Sequence, residues 1–214
     1  AGQSGAAGAV RGVRPLIILR PEPGAAKTAA RAAEWGLDAR IMPLFVPQAV
    51  EWEGPAPDRF DALLLTSANA ARLAGARLAA YRGLPAYAVG PATAKALTEA
   101  GFDGVVAGDG DGSAIARRIA ADGHERVLHL AGQTVATIDA GGLRIERIAI
   151  YAMRRTGDDG LADRLEAGSV ILVHSPRAGE VLAQLVAPAQ RATLHLIAIS
   201  PAALAACGTG WASA

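Results

Sequence analysis

The sequence predicts an α/β protein built on parallel sheets, and three features carry that prediction. Short runs of uninterrupted apolar residues recur along the chain, longer Ala/Leu/Arg stretches separate them, and several runs end in a Ser or Gly that opens a helix. A run that is apolar at every position suits a strand buried on both faces, as happens when helices cover both sides of a parallel sheet. Strands alternating with helices mark repeated βα units.

The elements follow in order. Leu16-Ile17-Ile18-Leu19 is the first run, and Ala25 to Trp35 reads as the helix after it. Ala62-Leu63-Leu64-Leu65 and Ala86-Tyr87-Ala88-Val89 come next, with a helix over Thr93 to Ala100. Further strands are expected at Gly104-Val105-Val106-Ala107, Val127-Leu128-His129-Leu130, Val170-Ile171-Leu172-Val173 and Leu196-Ile197-Ala198-Ile199. Helix starts are expected at Ser67, Gly90-Pro91, Ser113, Ser175-Pro176 and Ser200-Pro201. A Ser side chain at such a position accepts a hydrogen bond from an otherwise orphaned N–H, and Pro presets the first helical φ.

Composition narrows the function classes. With 214 residues, 51% hydrophobic and 19% charged, the chain can bury a large core and is not expected to be disordered. No apolar run reaches the roughly 18 residues of a membrane span. A net charge of +1 provides no general field for nucleic acid. The single Cys207 excludes an internal disulfide framework. The expectation is a soluble, cytoplasmic protein without membrane or nucleic-acid partners. Residues 1–13, small and Gly-rich without an apolar segment, read as a flexible tail and not as a signal peptide.

An internal repeat sets the domain organisation. Leu63-Leu64-Leu65-Thr66-Ser67-Ala68-Asn69-Ala70 resembles Ile171-Leu172-Val173-His174-Ser175-Pro176-Arg177-Ala178, and Val89-Gly90-Pro91-Ala92-Thr93-Ala94 resembles Ile199-Ser200-Pro201-Ala202-Ala203-Leu204. Weaker pairings join Leu16–Pro21 with Val127–Gly132, and Ile41–Phe45 with Arg147–Tyr151. The separation is too long for a solenoid and suits two similar α/β domains. The pairing predicts one domain inserted in the other: residues 14–46 plus 156–214 as the first, residues 51–150 as the second, with linkers at 46–51 and 151–156.

These residues together resemble the uroporphyrinogen-III synthase family. The resemblance rests on Arg20-Pro21, Leu65-Thr66-Ser67-Ala68-Asn69-Ala70, Ala88-Val89-Gly90-Pro91-Ala92-Thr93-Ala94, Leu128-His129-Leu130-Ala131-Gly132, Ile150-Tyr151 and His174-Ser175-Pro176, in that order and spacing. It implies two flavodoxin-like domains joined by a two-stranded linker, with a cleft between them. It implies a monomeric lyase that closes the linear tetrapyrrole hydroxymethylbilane into uroporphyrinogen III with inversion of ring D, using no cofactor and no metal. The sequence departs from the family at Ser200-Pro201-Ala202-Ala203, where Gly-Pro-Thr-Thr is usual. Family members also usually continue with a further strand and helix beyond the point where this sequence stops.

The chemistry can be weighed beside the resemblance. Loss of the terminal hydroxyl leaves an electrophilic azafulvene, which ring D attacks through its substituted carbon; the spiro intermediate fragments and recloses inverted. Catalysis is then mainly orientation, helped by a general acid. A polycarboxylate substrate beside a nearly neutral protein points to helix N-termini as anion sites, and in parallel sheets these gather beyond the carboxyl ends of the strands. The turns at Ser67, Gly90, Ser113, Ser175 and Ser200 belong there, although each is also an ordinary helix start. Thr93 adds a hydroxyl, Arg20 and Arg177 add charge at the cleft rim or else are ordinary surface residues, and Ala68, Gly132 and Ala202 are further candidate contacts. The resemblance implies Tyr151 as the acid, the other reading being an aromatic packing residue. A phenol keeps its proton at neutral pH and can donate it. Gly108-Asp109-Gly110-Asp111-Gly112 lacks the Lys of a P-loop and the closing Glu of an EF-hand, and is expected to be a flexible loop. His124, His129, His174 and His195 show no metal-ligand spacing, and no Gly-x-Ser-x-Gly elbow accompanies His174-Ser175. The alternative reading is a non-catalytic two-domain α/β protein that binds a small anion.

Overall fold

The computed structural model describes residues 14–157 and 159–214. The tail expected over residues 1–13 lies outside them. The fold is mixed α/β with parallel sheets, and the chain divides into two compact units, one formed by residues up to 46 and from 155 onward, the other by residues 47–154.

In the first unit, β1 (Leu16–Ile18), β2 (Ala39–Ile41), β9 (Val170–Val173) and β10 (His195–Ala198) form a parallel sheet in the order β10-β9-β1-β2. Helix α1 (Gly24–Glu34) links β1 to β2. Helices α5 (Pro176–Leu185) and α7 (Pro201–Ala206) follow β9 and β10, and α6 (Pro188–Arg191) is a single turn between them. Beyond α7, Ser213 forms an isolated bridge to His195 in parallel sense. Buried Ile17, Ile18, Leu19, Ile171, Val173, Leu182 and Leu196 are the apolar runs of the sequence turned into core.

The second sheet holds β3 (Phe45–Ala49), β4 (Ala62–Leu65), β5 (Ala86–Val89), β6 (Val106–Gly108), β7 (Arg126–Gly132) and β8 (Arg144–Arg155), in the order β3-β8-β7-β4-β5-β6. From β8 to β6 every pairing is parallel. Strands β3 and β8 run antiparallel, as the Val50 N–H to Ile150 carbonyl bond (3.0 Å) and the Thr156 N–H to Leu44 carbonyl bond (3.0 Å) show. Helices α2 (Ala68–Leu73) and α3 (Pro91–Glu99) belong to the face that buries Leu63, Leu65, Leu128, Leu130 and Ile150; α4 (Gly112–Ala121) covers the other, with Leu64, Tyr87, Ile115, Ile119 and Val127. Neighbours along β4 thus enter different cores, which explains why that strand is apolar throughout.

Two local expectations are corrected. Residues 104–105 are not strand: Gly104 turns with φ 62° and β6 begins at Val106. Ser113 does not start α4; the cap is Asp111, whose carboxylate accepts the Ala114 N–H at 2.8 Å. Tyr151 lies within β8, which continues to Arg155.

Candidate functional site

Parallel strands place all their βα turns at one sheet edge, so each unit gathers its expected site residues at the carboxyl ends of its strands. In the first unit these are Arg20 after β1, Ser175 and Arg177 after β9, and Ser200 and Ala202 after β10. In the second they are Ser67 and Ala68 after β4, Gly90 and Thr93 after β5, Ser113 after β6, Gly132 at the end of β7, and Tyr151 on β8.

In the first unit, Ser175 caps α5 by accepting the Ala178 N–H at 3.2 Å, and Ser200 caps α7 by accepting the Ala203 N–H at 3.2 Å. A cavity of about 280 Å³ lies at this edge, lined by Arg20, Gly24, Phe45, His174 and Ser175 among others. Gly24 has no side chain, and the Arg20 guanidinium occupies the space beside it. Arg177 lays its guanidinium over the Phe45 ring, 4.3 Å from the centroid, which holds a flexible cation in place. His174 titrates below the ordinary imidazole range, first because of burial and then because of the Arg20 charge, with the Leu172 backbone offsetting only part of that. Its Nδ1 is buried with no partner at hydrogen-bonding geometry. Ala202 is exposed and Ala203 fully buried, so the departure from Thr-Thr divides between a surface methyl and a core methyl.

In the second unit, Ser67 caps α2 by accepting the Asn69 N–H at 3.2 Å. Ala68 turns its methyl into the core, leaving only its backbone for a ligand. Gly90 stands at φ 77° before Pro91, a conformation that favours glycine. Thr93 is 4% exposed, and its hydroxyl has no partner among the described residues. The Ser113 hydroxyl is already engaged, accepting the Asp139 N–H at 2.9 Å, so it fastens a loop and is not presented to a ligand. The six-residue α2 and α7 bring less dipole to an anion than the longer α3, α4 and α5.

Tyr151 is 8% exposed, with its ring in the same core as Ile150 and Leu130. Its phenol oxygen has no hydrogen bond among the described residues and is not sealed from solvent. The side chain is therefore held by its ring while its proton remains available.

Sequence reasoning left the Thr66–His129 pair unassigned. Thr66 Oγ1 lies 3.1 Å from Nε2 of His129, which is 1% exposed. Burial, and then the Arg147 charge, hold this imidazole down at about 4, so it is neutral at physiological pH. The signal was a His within an apolar strand; its partner lies across the sheet, beyond the reach of local pattern. Among the described residues no cluster of three His, Cys, Asp or Glu side chains is arranged to hold a metal ion, and no helix is long and apolar enough to cross a membrane.

The sequence matches the family model of uroporphyrinogen-III synthase HemD over residues 26–212. No curated protein matches it. Among solved structures it is similar to a methionine-substituted mutant of uroporphyrinogen III synthase from the extremely thermophilic bacterium Thermus thermophilus, at 16% identity and TM-score 0.47, over 94% of this chain and 91% of that one. The wild-type enzyme from the same organism gives 16% identity and TM-score 0.42 over 90% and 87% of the two chains. A further Thermus thermophilus structure gives 18% and 0.34 over 94% and 92%. At these scores the family assignment rests on the sequence match.

Proposed function

The chain belongs to the uroporphyrinogen-III synthase family, and from that premise we propose which of its residues carry the reaction. The activity itself is that of a cyclising lyase of tetrapyrrole biosynthesis, closing hydroxymethylbilane to uroporphyrinogen III with ring D inverted. In our reading the two units are flavodoxin-like domains, linked where β3 and β8 lie side by side. The enzyme works as a cytoplasmic monomer on its tetrapyrrole alone.

Substrate carboxylates are met by the N–H groups opening α3 and α5, by the Thr93 hydroxyl, and by the Arg20 and Arg177 cations. Ser67, Ser175 and Ser200 shape these turns as caps and offer their hydroxyls second. Gly90, Ala68 and Ala202 contribute backbone only, and Ser113 contributes loop order. Tyr151 donates its proton to the departing hydroxyl, after which ring closure follows from the conformation imposed on the chain. The observation that carries this reading is the Tyr151 phenol, fixed by a buried ring and unpartnered at its oxygen among the described residues.

The test is direct. Freshly prepared hydroxymethylbilane is incubated with the protein, the product is oxidised, and the porphyrin isomers are separated. The type III isomer is expected. Type I alone would remove the enzymatic reading and leave a binder of anions.

A further inference from the structure

The pairing of β7 with β8 is regular from Arg126↔Arg144 to Ala131↔Ala149, then slips: Gly132 pairs with Tyr151, leaving Ile150 as an extra residue. Bulges are rare between parallel strands, and next to functional sites they re-aim side chains. Regular alternation would place Ile148 and Ile150 on one face and Tyr151 on the other. The extra residue cancels that alternation, so Ile148, Ile150, Tyr151 and then Met153 all pack on the same core. The Gln133 N–H donates to the Tyr151 carbonyl at 2.8 Å and locks the shifted register.

Gly132 completes the arrangement. Its φ is not positive, so backbone conformation does not call for glycine here. Space does: a Cβ at this position would lie 2.8 Å from Tyr151 Cζ, 3.0 Å from its hydroxyl oxygen and 3.1 Å from Cε2. The missing side chain is the seat of the phenol.

We propose that Gly132 is a positioning residue, and that together with the Ile150 bulge it sets where the Tyr151 hydroxyl points. This rests on Tyr151 as the proton donor. A methyl at 132 would sit 2.8 Å from Cζ, so the tip of the ring must move aside. The atoms displaced are the far end of the side chain, where the hydroxyl is not sealed from solvent, so the fold survives while the proton is misdirected.

The experiment is a double-variant cycle on the full chain with hydroxymethylbilane, together with the ¹³Cζ resonance of labelled Tyr151 and the Tm. Tyr151→Phe is expected to slow kcat about ten- to a hundred-fold. Gly132→Ala is expected to slow it about five- to ten-fold, with KM within about two-fold, Tm nearly unchanged and the Tyr151 resonance displaced. The double variant should be no slower than Tyr151→Phe, because the seat acts only through the hydroxyl. Losses that multiply, or a Gly132→Ala enzyme with unchanged kcat and resonance beside a slow Tyr151→Phe, overturn the proposal. Full activity of Tyr151→Phe overturns the assignment of Tyr151 and the proposal with it; that outcome is distinct, since in the others Tyr151→Phe is slow. Should Gly132→Ala not fold, Gly132→Ala/Tyr151→Leu decides: restored folding shows that the clash is with the ring, and failure to restore it overturns the seat.

Discussion

The two sheets invite a position-by-position comparison. In the second unit, His129 on β7 pairs in register with Leu64 on β4; in the first, Ile18 on β1 pairs with Leu172 on β9. The internal repeat aligns Leu64 with Leu172 and Thr66 with His174. The imidazole therefore sits inside the sheet in one unit and at its carboxyl edge in the other. His129 is buried and satisfied by Thr66, whereas His174 stands beside Arg20 with Nδ1 unpartnered. At the same edges the first unit carries Arg20, Glu22 and Arg177, while the second carries Ser67, Gly90, Thr93, Asp109 and Asp111, with Tyr151 on β8. One scaffold written twice thus gives an edge with two arginines and an edge with hydroxyls, two aspartates and the proposed proton donor. In our proposal both meet substrate carboxylates, the first with its cations, and the second alone supplies the proton.

The largest expected effect tests the buried imidazole. A His held down at about 4, against its ordinary 6.5, binds fewer protons folded than unfolded between those values. The stability that neutral His129 contributes is complete above pH 6.5 and is lost as pH falls toward 4, about 3 kcal/mol over that window. Urea unfolding from pH 7.5 to 4.5 should show this slope, and His129→Ile, which copies Ile18, should flatten it. An unchanged slope would mean that other groups govern acid sensitivity.

Next comes Tyr151→Phe, with turnover down one to two orders of magnitude and product affinity and Tm nearly unchanged. Wild-type turnover would leave the second unit with orientation alone. Third, Arg20→Ala should raise KM about ten-fold at nearly constant kcat, the size of one charge-assisted hydrogen bond. A fall in kcat at constant KM would place chemistry in the first unit as well. The smallest effects belong to the caps. Ser175→Ala, at the head of a ten-residue helix, should cost about 1 kcal/mol of stability, and Ser67→Ala on the shorter α2 less, both with turnover within a few-fold. Complete loss of activity in folded Ser67→Ala would contradict binding spread over many backbone groups.

Local chemistry made most of the scaffold legible. The runs at 62–65, 86–89 and 170–173 are strands, and Ser67, Ser175 and Ser200 are caps, because burial on both faces and the orphaned N–H groups of a helix leave their marks within a few residues. Family motifs then brought Arg20, Gly132 and Tyr151 to notice without saying how they are held. The start of α4 is ambiguous in the sequence because Asp111 and Ser113 are both good caps, and the choice falls to the Asp139 N–H, which engages Ser113 from 26 residues away.

By itself, then, the sequence determined the α/β pattern, most of the helix starts and the family. These are written in hydrophobic runs, caps and ordered motifs whose physics is local. Only the tertiary structure decided that His129 is buried on Thr66, that Ile150 is the extra residue of a bulge, and that the bare Cα of Gly132 receives the Tyr151 ring. Each of those depends on register and close approach between strands far apart in the chain, and neither leaves a periodic trace along it.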